Sequence, residues 1–589
     1  MSYYNKQTKN QKKVRESILQ NGYYKNDESS IEELFERVSS AFSTDEIHQK
    51  KIYEYLVNGW FLPATPILAN AGSSKNMPIS CFLNEAEDTL KDIIDTRVES
   101  EYLTSYGGGI GTNFSNIREV GCAIKDKGET AGVIPTMIIN YKAVDAIMQA
   151  GTRRGALAAY LHISHPEIEE FLYIRFSGGE NKRKVVGVAT AHHGIVINDE
   201  FMHAVAHNEK WYFTSPSTKQ KAKYGINARE LWQDILIMRH ETGEPYIVFE
   251  DNVNKHLPFS YEELDLKVKM SNLCTEIMLT TGKDHLDKKR TAVCCLSSLN
   301  LYTYDEWRDN QDFIQDILMF LDNVLQYFID NAPDEISCAR YSAMRERSVG
   351  LGVMGFHSYL QKHLIDIESE EAFEVNERIF SDIHDRACDA NTGLAQIRGS
   401  FEDYYDVSEY CRPIGGARFT HIFAIAPTAT IGKIAGQVSQ GIEPHYACVY
   451  TDQAKEGTQI IITPTFQELL NSKKFKPEFQ DFVISTILKV DGDLRKANLQ
   501  LGGLFSAEEM KAFKPWRLIE QKALIRLAAQ RQAYICQGQS LNVLLSPTIA
   551  KEELHEIHWL AWKLGLKSLY YCRGFSISDF GNKECEVCQ

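Results

Sequence analysis

The sequence predicts an α/β fold: buried, mainly parallel strands in one large barrel-like domain, preceded by a helical N-terminal extension. Three observations predict it. Ile31, Leu34, Phe35, Val38 and Phe42 recur at the spacing of one buried helical stripe. From about Phe61, short apolar or small-residue runs alternate with helical patterns, as in a sheet covered by helices. No low-complexity linker or fixed-period repeat divides the 589 residues.

The expected divisions are a helical segment over 1–60, the barrel over 61–573 and a tail over 574–589. Within the barrel, Gly194 to Asn198 reads as a strand running into a helix at Asp199, with Asn198 or Asp199 as its cap. Phe313, Ile314, Ile317, Leu318, Leu321, Val324, Leu325 and Phe328 mark a strongly amphipathic helix. Leu554, Ile557, Ala561 and Leu564 mark another, stopped by Gly565. Leu566 to Tyr571 then reads as a strand. From Gly574 onward the apolar period is lost, so a mobile tail is expected.

Composition narrows the function. The chain is 43% hydrophobic and 24% charged, with a net charge of −15. That is ordinary for a globular protein, and wrong in sign for one that lives on a nucleic-acid backbone. Small anionic ligands need only a local site. The first residues lack an apolar signal segment and no run of 18 apolar residues occurs, so no membrane association and a cytoplasmic location are expected. The 13 cysteines are odd in number and scattered, which favours free thiols and catalysis over a disulfide framework.

Cys274 has the most suggestive surroundings. In an extended stretch Asn272, Cys274 and Glu276 share a face. An amide, a sulfur and an acid/base would then converge on one ligand. Cys585 and Cys588 form a CxxC at the chain's end. A tethered dithiol suits exchange with another disulfide. Zinc binding competes, but would need about four ligands, and no second pair lies nearby.

Other motifs carry less on their own. Pro427 to Gly432 follows an apolar run and suits either a phosphate site at a helix start or a plain cap turn. Tyr106 to Gly111 permits close backbone approach but is not a dinucleotide fingerprint. Gln149 to Gly155 is a glycine-bounded loop around Arg153 and Arg154, either a solvated turn or a contact for an anionic or base-like ligand. Tyr570 and Tyr571 would face opposite sides of a strand. His192 and His193 would also diverge, and no metal is assigned to them.

Taken in order, the motifs resemble those of the large, catalytic subunit of class I ribonucleotide reductase. They are Thr65-Pro66 with Ser80-Cys81, Gly109-Ile110-Gly111, the Arg153 loop, Ser271 to Ile277, Val293 to Ser297, Pro427 to Gly432, Gly441 to Pro444, Gln539 to Asn542, Leu569 to Tyr571 and the terminal CxxC. The resemblance implies a ten-stranded α/β barrel with a central loop carrying Cys274. It implies that Cys274 becomes a thiyl radical and takes the 3′ hydrogen of a ribonucleoside diphosphate. Glu276, helped by Asn272, would accept the 3′-hydroxyl proton. Cys81 and Cys294 would supply the reducing equivalents, and Cys585 and Cys588 would reset them with thioredoxin or glutaredoxin. Cys295 competes with Cys294 by position, and the family pattern selects Cys294.

The resemblance further implies substrate contacts at Thr65, Ser80, Gly109, Thr428, Ala429, Thr430 and Ile431. Tyr570 and Tyr571 would pass a radical in from a metal-containing small subunit, with no cofactor or metal bound by this chain. Effectors (ATP, dATP, dTTP or dGTP) would bind at a homodimer interface through Asp88, Arg118 and Arg153. Only 80 residues precede Cys81, so no N-terminal ATP cone is expected. Two alternatives remain at this stage: a cobalamin-dependent reductase on the same barrel, which the tyrosine pair disfavours, and a catalytically silent nucleotide-binding homologue.

Overall fold

The N-terminal stripe becomes helix because its apolar spacing is matched by caps. A computed structural model describes residues 2–25, 28–73, 77–79, 81–149, 153–175, 191–454 and 457–574. Helices α1 (Lys9–Gln20) and α2 (Ile31–Phe42) each open with a capping box, Thr8 with Gln11 and Ser30 with Glu33. Helix α3 (Glu46–Val57) is capped by Asp45. Ile31, Leu34, Phe35, Val38 and Phe42 are all buried, as predicted.

The barrel strands follow. Strand β1 (Phe61–Pro63) leads in, then β2 (Cys81–Glu85), β3 (Gly109–Asn113), β4 (Leu157–His162), β5 (His192–Ile197) and β6 (Tyr246–Phe249). After them come β7 (Ala292–Asn300), β8 (Val349–Met354), β9 (Val543–Leu545), β10 (Ser568–Leu569) and β11 (Cys572–Gly574). From β2 to β6 each strand runs parallel to the next. The other half is also parallel: β7 pairs with β8, Leu351 bridges to Phe423, Ile425 bridges to Gln539, and β9 pairs with β11.

Two antiparallel seams join the halves, β7 with β2 and β6 with β10. Tyr570 N donates to Leu541 O at 2.9 Å and completes the circuit. The staves are thus β2, β3, β4, β5 and β6, then 568–574, 538–545, 422–425, β8 and β7: a closed ten-stranded barrel. Strand β1 lies antiparallel beside the far end of β7.

Alternation sorts the wall into two faces. On β7, Ala292, Cys294 and Leu296 point into the barrel, while Val293 and Cys295 join the outer core under the helices. On β4, Ala158 and Tyr160 point in, and Leu157, Ala159 and Leu161 point out. The predicted amphipathic helix is Phe313–Asn331, which packs on this outer face. The predicted strand-to-helix step at Asn198 is also present: its side chain accepts from Phe201 N and caps Asp199–His207.

One element departs from expectation. Leu566 to Tyr571 is not one strand. Strand β10 stops at Leu569, and β11 starts at Cys572 on a different neighbour. The stave changes partner at Tyr570 and Tyr571, because Tyr571 N is taken by the Asn542 side chain at 3.0 Å instead of a ladder carbonyl. Among the described residues no helix is long and apolar enough to cross a membrane.

Candidate active site

The residues between β6 and β7 enter the barrel as a loop. It is not the extended stretch that the Asn272, Cys274 and Glu276 spacing suggested. Thr275 N turns back to Asn272 O at 3.3 Å, and Thr275 adopts φ +64°, left-handed for a branched residue. Asn272 and Glu276 therefore meet through a turn, with buried Cys274 between them in the chain. Asn272 Oδ1 accepts from Ile277 N at 3.1 Å and closes that turn from within.

The wall grips the loop by its backbone. Tyr160 Oη donates to Asn272 O and Ser540 Oγ to Cys274 O, both at 2.6 Å. Ser568 Oγ donates to Thr275 O at 2.9 Å, and Gly538 N to Glu276 O at 2.8 Å. Two glycines make the approach possible. A Cβ on Gly111 would sit 2.2 Å from Ser271 O, and one on Gly538 would sit 2.9 Å from Thr275 O.

Four groups meet at the loop tip. Cys81 Sγ lies 3.6 Å from Asn272 Nδ2 and 4.0 Å from Glu276 Oε1. Ser540 Oγ also lies 3.1 Å from Glu276 Oε2. Cys81 and Cys294 are directly opposed across the antiparallel seam, and Gly109 is the neighbour of Cys81 on the other side. Gln537 Nε2 approaches Cys294 Sγ at 3.9 Å. Cys295 points outward, away from this cluster.

Burial sets the protonation states. Loss of solvent pushes the Glu276 carboxyl up to about 7, against the hydrogen bonds that favour its charged form. The Cys294 thiol is held well above its usual range, first by burial and then by Cys81 and Cys295. It is a neutral hydrogen donor at physiological pH.

Tyr570 and Tyr571 do not face apart. Their rings sit 4.3 Å centroid to centroid, because the strand break turns both to one side. Tyr246 joins them at 4.8 and 5.1 Å. Tyr570 is buried in the inner core with Cys274, whereas Tyr571 is half-buried. Fully buried Arg239 donates to Tyr570 O at 3.0 Å and holds the pair in place. The rings of His192 and His193 diverge, toward Tyr246 and Phe171 respectively. Glu244 nevertheless meets both, at 2.9 and 3.1 Å, a link the histidine spacing did not reveal.

Other predicted positions are more dispersed. Thr65 opens the helix Thr65–Asn70 just after β1, and its Oγ1 lies 2.9 Å from Tyr23 Oη. Thr428 is left-handed at φ +56° and caps the short helix Ala429–Ile434; its Oγ1 accepts from Gly441 N at 2.7 Å. Asp88 accepts from Arg118 Nε at 2.7 Å. Arg153 lies in a two-residue strand paired with Met148–Gln149. Its side chain, Ser80, Cys585 and Cys588 fall outside the described residues. Sequence reasoning missed Tyr160, Gln537 and the role of Ser540, although Ser540 stands in a motif already singled out.

A closed barrel that buries a loop thiol beside a carboxylate, an amide and an opposed cysteine pair defines an enzyme of buried thiol chemistry. Comparison gives the class a family. The family description "Ribonucleotide reductase, barrel domain" matches residues 79–572, and "Ribonucleotide reductase, all-alpha domain" matches 14–76. The chain belongs to the ribonucleotide reductase family. It is 35% identical over 615 aligned positions to the ribonucleoside-diphosphate reductase large subunit of Invertebrate iridescent virus 3, covering 95% of this chain and 93% of that one. It is 36% identical over 555 positions to a putative large subunit from Frog virus 3 (isolate Goorha), covering 92% of each. The class Id ribonucleotide reductase alpha subunit of Actinobacillus ureae shares the fold at a TM-score of 0.82 and 30% identity, over 97% of this chain and 98% of that one.

Proposed function

We propose that this chain is the catalytic subunit of a ribonucleoside-diphosphate reductase, and that Cys274 carries the reacting radical. The observation that carries this reading is the meeting of Asn272 and Glu276 with Cys81 at the tip of a gripped loop whose buried thiol is Cys274, with Cys294 opposite Cys81. A radical arrives from a separate small subunit through Tyr571 and Tyr570. Their ring separation of 4.3 Å and the burial of Tyr570 in the same inner core as Cys274 support that route.

The chemistry follows from the residue types. The Cys274 sulfur takes the 3′ hydrogen, and Glu276 takes the 3′-hydroxyl proton. A thiol of the Cys81–Cys294 pair protonates the departing 2′-hydroxyl, which leaves as water. The pair then supplies two electrons and closes a disulfide, and Cys274 returns the 3′ hydrogen. In sum, one ribonucleotide and two thiols give one deoxyribonucleotide, one disulfide and water. Cys585 and Cys588, recharged by thioredoxin or glutaredoxin, reopen the disulfide. Thr65, Ser80, Gly109 and the backbone of Thr428, Ala429, Thr430 and Ile431 hold the substrate.

The test is reconstitution with a radical-generating small subunit, with cytidine diphosphate and a dithiol. Deoxycytidine diphosphate is the expected product. Activity with adenosylcobalamin and no second protein would overturn the reading. The pH profile provides a second check. Glu276 titrates upward at about 7 and accepts a proton only as carboxylate, so kcat/KM should fall as pH drops below about 7 and level off above it. Glu276→Gln should lower kcat by about 10²–10⁴-fold and remove that limb. An unchanged profile in Glu276→Gln would assign the titration elsewhere.

Homodimerisation and effector binding form one proposal. Leu90, Ile94, Val98 and Tyr102 recur every fourth residue on the helix Leu90–Ser105, and all four are exposed. Such a stripe suits a second copy of the chain. Asp88 and Arg118 pair just before that helix, which suits a nucleoside triphosphate at the dimer edge, with Arg153 in the adjoining loop. Val98→Glu should weaken the dimer by about 100-fold, because burying an unpaired carboxylate costs several kcal/mol. Sedimentation velocity reads this directly, and a variant that stays dimeric at the same concentration would remove this face from the interface.

A further inference from the structure

The loop that carries Asn272, Cys274 and Glu276 is also held at both stems, by one carboxylate. Glu85, the last residue of β2, has a fully buried side chain. Lys269, three residues before Asn272, donates to its two oxygens at 2.9 and 3.2 Å. Thr281, five residues after Glu276, donates its hydroxyl to Oε2 at 2.9 Å. Gly282 continues that stem at φ +78°, where an added Cβ would sit 3.1 Å from the Glu85 carboxylate. The stem closes over Glu85 because residue 282 has no side chain.

A third donor comes from elsewhere. Asn116 Nδ2 reaches Glu85 Oε1 at 2.5 Å and lies 3.4 Å from Glu87 Oε1. Asn116 is two residues from Arg118, whose guanidinium holds Asp88. A buried carboxylate is costly unless it is fully hydrogen-bonded. Glu85 is satisfied only when both loop stems and the Asn116 segment are in place together. Any shift of Asn116 changes what Glu85 offers to Lys269 and Thr281.

We propose that Glu85 is a positioning residue that sets the placement of the reactive loop, and that Asn116 passes to it the state of the Asp88–Arg118 cleft. The second half rests on the effector reading above, while the first stands on the loop geometry alone.

Hydrogen–deuterium exchange on the full chain separates the two. Glu85→Gln keeps the shape but turns one acceptor into a donor facing Lys269 or Thr281. Amides of residues 269–281 should exchange about tenfold faster in this variant, with the outer helix Phe313–Asn331 unchanged. In the reconstituted enzyme kcat should fall about tenfold with KM within about twofold, the split expected when a loop is misplaced and binding is kept. Asn116→Ala removes one donor to the same buried carboxylate, so basal kcat should fall by about threefold, less than in Glu85→Gln, and most of the effector response should be lost.

If Glu85→Gln fails to fold, Thr281→Val removes one stem bond alone and should still speed loop exchange by about threefold. Loop exchange equal to wild type in the folded variants overturns the positioning role. A full effector response in Asn116→Ala overturns the relay. If the wild-type chain makes no deoxynucleotide with its small subunit, the functional reading falls, and the exchange result still decides the role of Glu85.

Discussion

Cys274→Ser should abolish deoxynucleotide formation, by at least about 10⁴-fold, as befits a group that makes and breaks bonds with the substrate. The size of the effect comes from the atom alone. An alcohol O–H bond is far stronger than a thiol S–H bond, so an oxidant able to draw a hydrogen atom from cysteine leaves serine untouched. The loop is held through the carbonyls of Asn272, Cys274, Thr275 and Glu276, bonded to Tyr160, Ser540, Ser568 and Gly538. None of these bonds uses the 274 side chain. The variant should therefore fold as the wild type and bind cytidine diphosphate with a Kd within about threefold. Product analysis together with equilibrium binding checks both halves. Turnover above about 1% of wild type would assign the radical to another residue.

How much of this was legible in the sequence depended on whether backbone periodicity carried the information. The α2 stripe and the Asn198 cap are local, and each appears where its spacing put it. The barrel's closure is different. It rests on two antiparallel seams and on single bridges such as Leu351 to Phe423, which pair residues far apart in the chain. No local pattern encodes those partners. The two misreadings at the site share one cause, an assumed extended backbone. Thr275 turns left-handed, so Asn272 and Glu276 meet by a loop rather than by alternation, with Cys274 between them in the chain. Asn542 interrupts the ladder at Tyr571, so two neighbouring tyrosines bring their rings together at a tilt of 51° instead of pointing apart. In both places tertiary contacts from Ser540 to Asn542 override the local period, and that segment has no apolar pattern to announce it.

The same contrast between neighbours in sequence and neighbours in space governs the reducing pair. Cys294 and Cys295 are adjacent, yet only Cys294 points into the barrel, opposite Cys81. Residues directly opposed in an antiparallel pair have Cα atoms about 4.5–5.5 Å apart, inside the roughly 4.4–6.8 Å that a disulfide requires. Cys295 lies under the helices, where no such partner faces it among the described residues. Replacing Cys81 or Cys294 with serine should cost at least about 10³-fold in turnover, because either change leaves one thiol where two electrons are needed. Cys295→Ser should stay within about threefold of wild type. A stoichiometric measurement sharpens the test. With Cys585 and Cys588 both changed to serine and no external reductant, the pre-reduced chain should form about one deoxynucleotide per site and stop, since one dithiol holds one two-electron equivalent. Peptide mapping should then find the new disulfide between Cys81 and Cys294. A disulfide to Cys295, or a Cys294→Ser variant that still completes that single turnover, would move the reducing pair off the seam.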